Sequence, residues 1–384
     1  MKIKSLSIFL ALGLGFSFNS FSQNIKVRIF SDQTITHATI RSSFGRYSLS
    51  LDNNSPITIT KTSKVDIKSK DQKVEVKIND SLYGCFNNIV FNKEGLRSFF
   101  QIETNIKSLT RRYDDNLIVN SDNKGLRLIN NIETENYIAG VVQAETWGAT
   151  KNVDFFKIQA ICVRNYIMMN IAKHKKDGYQ MCDAVHCQAY KGRANQPEVI
   201  EGAYNSKGEI IVDINGNIIE TLFHSNSGGQ TVSSEDVWGK PFSHLVGKID
   251  SFSVGLKAYA WEKYIPLKDW QRYFKEKEVN VKDDSIKNEL LNFSQNEGRK
   301  KEMLGVSLVQ IRKDFNLRST FFSCQEWGSE VKLNGKGYGH GVGLSQEGAI
   351  KMCDEGFEYW QVIEHYYTGA KIKRIDEDKL LGEN

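Results

Sequence analysis

Residues 24–125 alternate apolar and polar side chains in short runs, among them IKVRIF, KVDIKS, KVEVKIN and NLIVN. Turn-forming residues separate these runs, as at residues 52–54 and 122–125. Alternation with a period of two, together with enrichment in Val, Ile and Thr, is typical of half-buried β-strands. The pattern therefore predicts a β-rich N-terminal region over residues 23–125, to which we assign a structural role.

The pattern changes after Leu126. Between Val153 and Ala172 apolar residues recur at spacings of three and four, which predicts a helix packed on a core. A second, charged helical run is expected around Leu267 to Lys277. The chain as a whole is therefore predicted to be α+β, with a strand-rich N-terminal region followed by a mixed α/β domain over residues 126–384.

Glu145 is the candidate general acid. It follows the apolar run at residues 137–142, lies close to Trp147 and precedes the predicted helix. A carboxyl group partly removed from water beside an indole has a raised pKa, which suits an acid that works near neutral pH. The alternative is a glutamate that caps a helix end or forms an ion pair.

Four potential metal ligands lie close together in the sequence, namely His174, Cys182, His186 and Cys187. Two thiols and two imidazoles are suitable ligands for tetrahedral zinc. The spacing matches none of the standard zinc-finger patterns, and a disulfide between the two cysteines is the competing interpretation. The remaining cysteines show no pairing pattern.

A polar stretch, FHSNSGGQT, follows a predicted β-hairpin whose two-residue turn is Asn215-Gly216. It presents His224, Ser225 and Ser227, which we interpret as residues that contact sugar hydroxyl and acetamido groups. The alternative is a turn of purely structural polar residues. The stretch contains no G-x-S-x-G nucleophile elbow.

Glycines alternate between residues 335 and 343, so that the backbone can approach a ligand or another strand closely and present His340. The glycine spacing fits neither a dinucleotide-binding fingerprint nor a phosphate-binding loop.

The composition indicates an ordinary globular protein, with 40% hydrophobic and 25% charged residues and a net charge of +5. No Lys/Arg stripe with interleaved aromatic residues is present, so nucleic acid is not an expected partner. Residues 1–22 combine Lys2 and Lys4 with an apolar run and a small-residue cleavage site, which predicts a secretory signal peptide. We expect an exported protein, periplasmic or extracellular, without a transmembrane anchor.

Four stretches occur in the order found in one known family. They are QAETWG with DFFKIQAICVRNYIM, then HCQAYKG, FHSNSGGQT and GYGHGVGLSQEGA. Through them the chain resembles the SpoIID/LytB family over most of residues 130–369. The resemblance implies a SpoIID-like domain over residues 126–384, peptidoglycan glycan strands as the substrate and a location at the cell wall.

The resemblance also implies roles for individual residues. Arg164 would bind substrate, because a guanidinium can hold a carboxylate or sugar oxygens with fixed geometry. His340, Ser345 and Gln346 would lie in the cleft. Some family members bind zinc at the cysteine and histidine cluster, so we expect a structural zinc there rather than a disulfide.

The implied activity is that of a lytic transglycosylase, which cleaves the MurNAc-GlcNAc bond of peptide-stripped strands and leaves 1,6-anhydroMurNAc. Ordinary glycosidases need two carboxylates, whereas this reaction can use one, and Glu145 would serve as acid and then as base. An alternative from the same family is a non-catalytic activator of a cell-wall amidase. A zinc hydrolase that uses Cys182, His186 and Cys187 is a third hypothesis. It ranks behind the other two, because thiolate-rich zinc sites are more often structural than catalytic.

Overall fold

The structure is a computed structural model and describes residues 24–106, 109–146 and 148–375. The expected signal peptide at residues 1–22 and the indole of Trp147 lie outside the described residues.

The strands are β1 (Asn24–Ile29), β2 (His37–Leu51), β3 (Ile57–Ile59), β4 (Val65–Lys70), β5 (Lys73–Ile78), β6 (Ser81–Phe86), β7 (Asn88–Thr104), β8 (Thr110–Asp114), β9 (Asn116–Asp122), β10 (Gly125–Glu133), β11 (Met181–Cys182), β12 (Glu209–Val212), β13 (Phe223–His224), β14 (Ala260–Pro266), β15 (Glu302–Met303), β16 (Val306–Ser307), β17 (Phe322–Trp327), β18 (Glu330–Lys336), β19 (Leu344–Ser345) and β20 (Lys371–Arg374).

The α-helices are α1 (Thr134–Thr146), α2 (Val153–Asn170), α3 (Pro197–Asn205), α4 (Ser234–Trp238), α5 (Leu267–Glu276), α6 (Asp284–Asn292), α7 (Leu308–Asp314), α8 (Gln346–Asp354) and α9 (Tyr359–Tyr366). Short 3-10 turns occupy Lys175–Asp177 and Ser251–Ser253.

The N-terminal strands form one large sheet in the order β11-β1-β10-β9-β7-β2-β4-β5-β6, with β3 on β2 and β8 on β7. Neighbouring strands are antiparallel except for the pair β1 and β11. Alternate residues of β1 and β5 are buried, as the period of two requires. The predicted α+β class and the strand-rich N-terminal region are thus confirmed.

The boundary expected between residues 125 and 126 falls inside β10, after its first residue, and β10 pairs with β9 as a hairpin of this sheet. One buried apolar cluster runs from Ile25 through the sheet and helices α1 and α2 to Ala370. The strands before the boundary therefore share a sheet with β10 and a core with the helices that follow it.

Helix α2 begins where its sequence provides a cap, because the Asn152 side chain accepts hydrogen bonds from the N–H groups of Asp154 and Phe155. It covers almost the whole segment that the apolar periodicity predicts. Most of its side chains are buried, including several polar ones, because α1, α3, β12 and α9 pack around it.

Arg164 lies on α2 and is fully buried. Its Nη2 donates to Oε2 of Glu135 at 2.6 Å, and its Nη1 donates to the carbonyl of Glu209 at 3.0 Å. The guanidinium thus joins α1, α2 and β12 inside the core. The expected sugar contact of Arg164 is therefore corrected to a structural role.

Residues 260–336, here called the inserted module, have a core of their own around Trp270, Phe274, Leu290 and Phe322. The module contains the three-stranded sheet β14-β18-β17 and helices α5 to α7. Helix α5 matches the charged helical run predicted there. The module leaves and rejoins the main body at one place, where the Gly337 N–H donates to the Tyr259 carbonyl at 2.6 Å.

The hairpin predicted around Asn215-Gly216 is reduced to a single bridge between Val212 and Ile218. Strand β12 pairs instead with β20 near the end of the described chain, and β13 pairs with β19. The turn itself forms, because the Asp213 carboxylate accepts the N–H groups of Asn215 and Asn217.

Candidate active site and metal-ligand cluster

Glu145 lies in the last turn of α1 and is half-buried. Its Oε1 accepts a hydrogen bond from the Ala189 N–H at 3.2 Å. Burial raises the pKa of the Glu145 carboxyl, and the Ala189 N–H and the charge of Lys191 oppose this shift without cancelling it. Glu145 therefore has the partly desolvated setting that a general acid requires.

The segment that carries Ala189 is fixed by the N-terminal sheet. The Asp183 carboxylate accepts the N–H groups of Phe30 at 2.7 Å and Ser31 at 2.9 Å, and it pairs with Arg111 at 2.9 Å. A buried carboxylate with these partners holds the start of the segment firmly on β1.

The other end of the segment packs on α1. The ring of Tyr190 lies 5.0 Å from the ring of Tyr137. A Cβ atom at Gly140 would lie 2.5 Å from the Tyr190 ring and 2.6 Å from the Gly192 carbonyl. Glycine at this position thus permits residues 190–192 to approach α1 closely.

A depression of about 270 Å³ is bordered by residues of α1 and of the segment after Tyr190, among them Gln143, Ala144, Lys191, Asn195 and Gln196, but not by Glu145. The Gln143 Oε1 accepts the N–H groups of Asn195 and Gln196, which shapes this edge. A larger depression of about 570 Å³, bordered by residues including Asp114 and Tyr204, contains none of the predicted site residues.

The four predicted metal ligands come together, with their ligand atoms within 4.8 Å of one another. His174 Nε2 lies 3.3 Å from Cys187 Sγ, and Cys182 Sγ lies 3.1 Å from His186 Nδ1. Tetrahedral zinc with these ligands separates neighbouring ligand atoms by about 3.5 Å, so the arrangement fits the ion. This cluster could therefore hold a metal.

Two further features suit a metal. His174 Nδ1 lies 3.6 Å from the Asp177 carboxylate, the outer partner that metal-binding histidines commonly have. A hydrogen bond from the Cys187 thiol lowers the pKa of the Cys182 thiol, which favours the thiolate that a metal binds. The cysteines of the chain are free thiols, Cys182 and Cys187 included.

Strands β13 and β19 are parallel and bring the two polar stretches together, with His224 opposite Ser345. The rings of His224 and His340 are 5.4 Å apart. His340 Nδ1 accepts the Val342 N–H at 3.0 Å, and His224 Nδ1 lies 3.1 Å from the Val342 carbonyl, to which it donates. Burial lowers the pKa of both histidines, that of His340 to about 4, so both are neutral at pH 7.

Ser227 and Ser345 are buried, which differs from the sugar contact expected for Ser227 and from the cleft position expected for Ser345. The Ser227 hydroxyl donates to Oδ2 of Asp250 at 2.7 Å. The Ser345 hydroxyl caps α8 by accepting the Gly348 N–H, and it also lies 2.7 Å from the Ser253 hydroxyl. Both hydroxyls are thus engaged inside the protein.

Gln346 and Ser225 are half-buried. The Gln346 Nε2 donates to Oε1 of Gln159 at 3.1 Å and so ties α8 to α2. The Ser225 carbonyl accepts the Glu347 N–H at 3.0 Å.

The predicted site residues therefore fall into two groups. Glu145 lies with the metal-ligand cluster, whereas His224 and His340 lie between the main body and the inserted module. Across the described residues, no hydrogen bond or ring contact joins Glu145 to the histidine pair. Sequence reasoning missed Lys191, although it belongs to the HCQAYKG stretch that the family pattern singles out.

The fold and the site define an α+β protein that holds a partly desolvated carboxyl group beside a cluster of potential metal ligands. Residues 122–213 match the family model described as "SpoIID: Stage II sporulation protein". Through this region the chain is similar to the SpoIID family.

Curated relatives agree with this assignment. Stage II sporulation protein D of Bacillus subtilis (strain 168) is 26% identical over 278 residues, which cover 65% of this chain and 76% of the relative. The protein of the same name from Bacillus amyloliquefaciens is 24% identical over 274 residues, with the same coverage. The Amidase enhancer of Bacillus subtilis (strain 168) is 24% identical over 293 residues, 61% of this chain and 40% of that protein.

Similarity to this family and to the Amidase enhancer supports a role connected with the cell wall. No helix among the described residues is long and apolar enough to cross a bilayer.

Proposed function

We propose that the protein is a peptidoglycan lytic transglycosylase that cleaves the MurNAc-GlcNAc bond with Glu145 as its acid and base. The observation that carries this proposal is the setting of Glu145, a half-buried carboxyl group with a raised pKa inside the region that matches the family model. Its pKa is affected by an amide and an ammonium group, and no second carboxylate is among these influences. A reaction that needs one carboxyl group suits this environment better than ordinary hydrolysis with two.

In the proposed reaction the Glu145 carboxyl gives its proton to the glycosidic oxygen as the bond to muramyl C1 breaks. The GlcNAc end leaves as an alcohol. The Glu145 carboxylate then takes the proton of the muramyl C6 hydroxyl, and the C6 oxygen bonds to C1. The carboxyl group is restored, no water is consumed, and the product ends in 1,6-anhydroMurNAc.

The metal in this proposal is a structural zinc held by His174, Cys182, His186 and Cys187. Bound there, zinc would supply a cross-link rather than a reactive water, because four protein ligands leave no open position. The cross-link would fix the segment that carries Ala189, whose N–H holds Glu145. We further infer an exported, cell-wall-associated protein that acts on peptide-stripped strands.

The test is mass spectrometry of the soluble products released from intact and from amidase-stripped peptidoglycan. We expect anhydro-muropeptide ends with the unaltered protein and none with Glu145→Gln. Glu276→Gln, at an exposed position on α5, is the matched control and should retain full activity. Reducing ends would contradict the transglycosylase proposal and indicate a hydrolase, as would full activity of Glu145→Gln.

A second candidate function is a non-catalytic activator of a cell-wall amidase, which the similarity to the Amidase enhancer favours. In that case the protein would bind peptidoglycan without releasing products and would accelerate a purified amidase. The Glu145→Gln variant would stimulate the amidase as well as the unaltered protein does, and this result separates the two functions.

A further inference from the structure

Two arginines of the inserted module have no acidic partner. Arg299 lies between α6 and β15, and Arg312 lies on α7. Arg299 Nη1 donates to the Gln230 carbonyl at 2.9 Å, but the Nε atoms of both arginines are buried without a hydrogen-bond partner. Neither arginine forms an ion pair with another described residue. Buried donors on a charged group are costly when left unpaired, so they call for a ligand or another explanation.

The two guanidinium groups face the histidine pair. A Cβ atom at Gly341 would lie 2.5 Å from Arg299 Nη1, so glycine beside His340 makes room for this arginine. The charges of Arg299 and Arg312 both act on His340 and help to lower its pKa. The arginines from the module and the histidines from the main body thus border one space.

The charge of this space is positive at neutral pH. His224 and His340 are neutral, because burial disfavours their charged forms. Arg299 and Arg312 lie close enough to repel each other, which lowers the pKa of Arg299 further than burial alone. Two neighbouring cations without an anion between them indicate a site for an oxyanion.

The side chains at the opening of this space are of the kinds that bind sugars. The ring of Trp238 lies 5.3 Å from that of His340, and about half of the Trp238 and Tyr338 side-chain surfaces is exposed. His224 donates from Nδ1, so its buried and unpartnered Nε2 is an acceptor suited to a hydroxyl group. Aromatic rings at an opening, with a few oriented polar groups behind them, are typical of ligand sites.

We propose that Arg299 and Arg312, with His224 and His340, form a subsite for the carboxylate of an acidic saccharide. This proposal rests on the proposed function, which supplies the ligand: the free lactyl carboxylate of a muramyl residue that has lost its stem peptide. The guanidinium forks bind the carboxylate oxygens, and His224 accepts a sugar hydroxyl. The inserted module thereby helps to select stripped strands, because a stem peptide converts the lactyl carboxylate into a neutral amide.

The test measures equilibrium binding in the Glu145→Gln background, where the strands are not consumed. Arg299→Gln and Arg312→Gln should each weaken the binding of amidase-stripped strands about tenfold or more, as expected for the loss of a charge-assisted hydrogen bond. Neither change should affect the binding of neutral chitohexaose. Arg272→Gln, at an exposed arginine on α5, is the matched control and should bind stripped strands normally.

A second measurement leaves both arginines intact and so does not depend on how the variants fold. Stripped strands whose carboxylates have been amidated with carbodiimide should bind about tenfold more weakly than untreated strands. Equal binding of amidated and untreated strands would overturn the proposal. Tighter arginine-dependent binding of intact than of stripped peptidoglycan would also overturn it, because the carboxylate would then come from the stem peptide.

The experiments can support or overturn the carboxylate subsite independently of the transglycosylase activity. If the protein with Glu145 releases no anhydro products but binding still depends on the arginines and the carboxylate, the subsite stands and the transglycosylase does not. Anhydro products together with unimpaired arginine variants would remove only the subsite.

Discussion

At the scale of single residues, burial rather than a neighbouring charge sets the acidity of Glu145. Desolvation raises its pKa, and the two polar groups that act on it both favour the charged form. A general acid must be protonated to act, so activity should fall as the pH rises through this raised pKa. Removal of a group that lowers the pKa of Glu145 should move the alkaline limb of the pH–activity profile, where activity is lost, to higher pH.

Lys191→Met should move the alkaline limb of kcat/KM on glycan strands to higher pH. The charge of Lys191 lowers the pKa of Glu145, and its removal keeps the acid protonated longer. Because Lys191 is exposed, removal of its charge should move the alkaline limb by roughly half a pH unit. The pH profile of the control Lys124→Met, at an exposed lysine, should match that of the unaltered protein. An alkaline limb that moves to lower pH in Lys191→Met would contradict the prediction.

His340 should make the folded protein less stable in mild acid. Its pKa is about 4 when folded and near 6.5 when unfolded, so between these values the unfolded chain binds the extra proton. Stability should therefore fall as the pH drops from about 6.5 towards 4. Urea unfolding across this range should show a shallower loss for His340→Gln than for the control His37→Gln, and identical slopes would refute this account.

At the scale of elements, α1 is held by its first turn as well as by its apolar side. Glu135 in that turn pairs with the fully buried Arg164 of α2. The same helix presents Glu145 in its last turn. The ion pair at one end of α1 thus helps to fix the catalytic candidate at the other.

Glu135→Gln should lower the free energy of unfolding by about 3–5 kcal/mol, because it leaves the charge of Arg164 buried without its counter-charge. Chemical denaturation measures this loss. Asp269→Asn breaks the exposed pair with Arg272 and should change stability by about 0–1 kcal/mol. Similar losses in the two variants would show that burial of the Arg164 pair contributes nothing.

Chelation of the metal, or Cys182→Ser, should loosen the segment that carries Ala189. We expect about one zinc per chain by elemental analysis, faster hydrogen exchange over residues 182–190 without the metal, and a parallel loss of activity. Cys85→Ser, at an exposed cysteine, should retain both the metal and the slow exchange. Unchanged exchange after the metal is removed would argue against a structural cross-link.

At the scale of the whole molecule, the sheet and the helices form one unit. Strand β10 pairs with β1 on one side and β9 on the other, and both partners precede residue 125. A fragment of residues 126–384 would expose both edges of β10 and the apolar faces of α1 and α2. It should therefore lack the near-ultraviolet circular dichroism of a packed protein, and a cooperatively unfolding fragment would show that the N-terminal strands are dispensable.

Periodicity in the sequence predicted much of the fold. The alternating runs became the N-terminal strands, and the spacings of three and four became α2, because each pattern reflects burial along one local element. The turn at Asn215-Gly216 also formed. Its flanking segments took other partners, β20 among them, because pairing between distant strands depends on tertiary packing that local patterns do not encode.

For the candidate site, the sequence predicted the chemical types of the residues better than their positions in the fold. The ligand types of the metal cluster stand close together in the sequence, and the fold brings them into contact. The resemblance assigned Arg164 to a ligand, but the fold buries this side of α2, which periodicity cannot reveal. Arg299 and Arg312 were missed as a pair, since a missing counter-charge is a property of the assembled structure.

The pairing of β13 with β19 has a consequence for the order of assembly. His224 and His340 meet only when strands on either side of the inserted module come together. A chain that is still being synthesised has the first histidine long before the second, and contacts so distant in sequence form late. The subsite is therefore absent until the chain has been synthesised past His340, so a chain that stops before this residue could not select its strand.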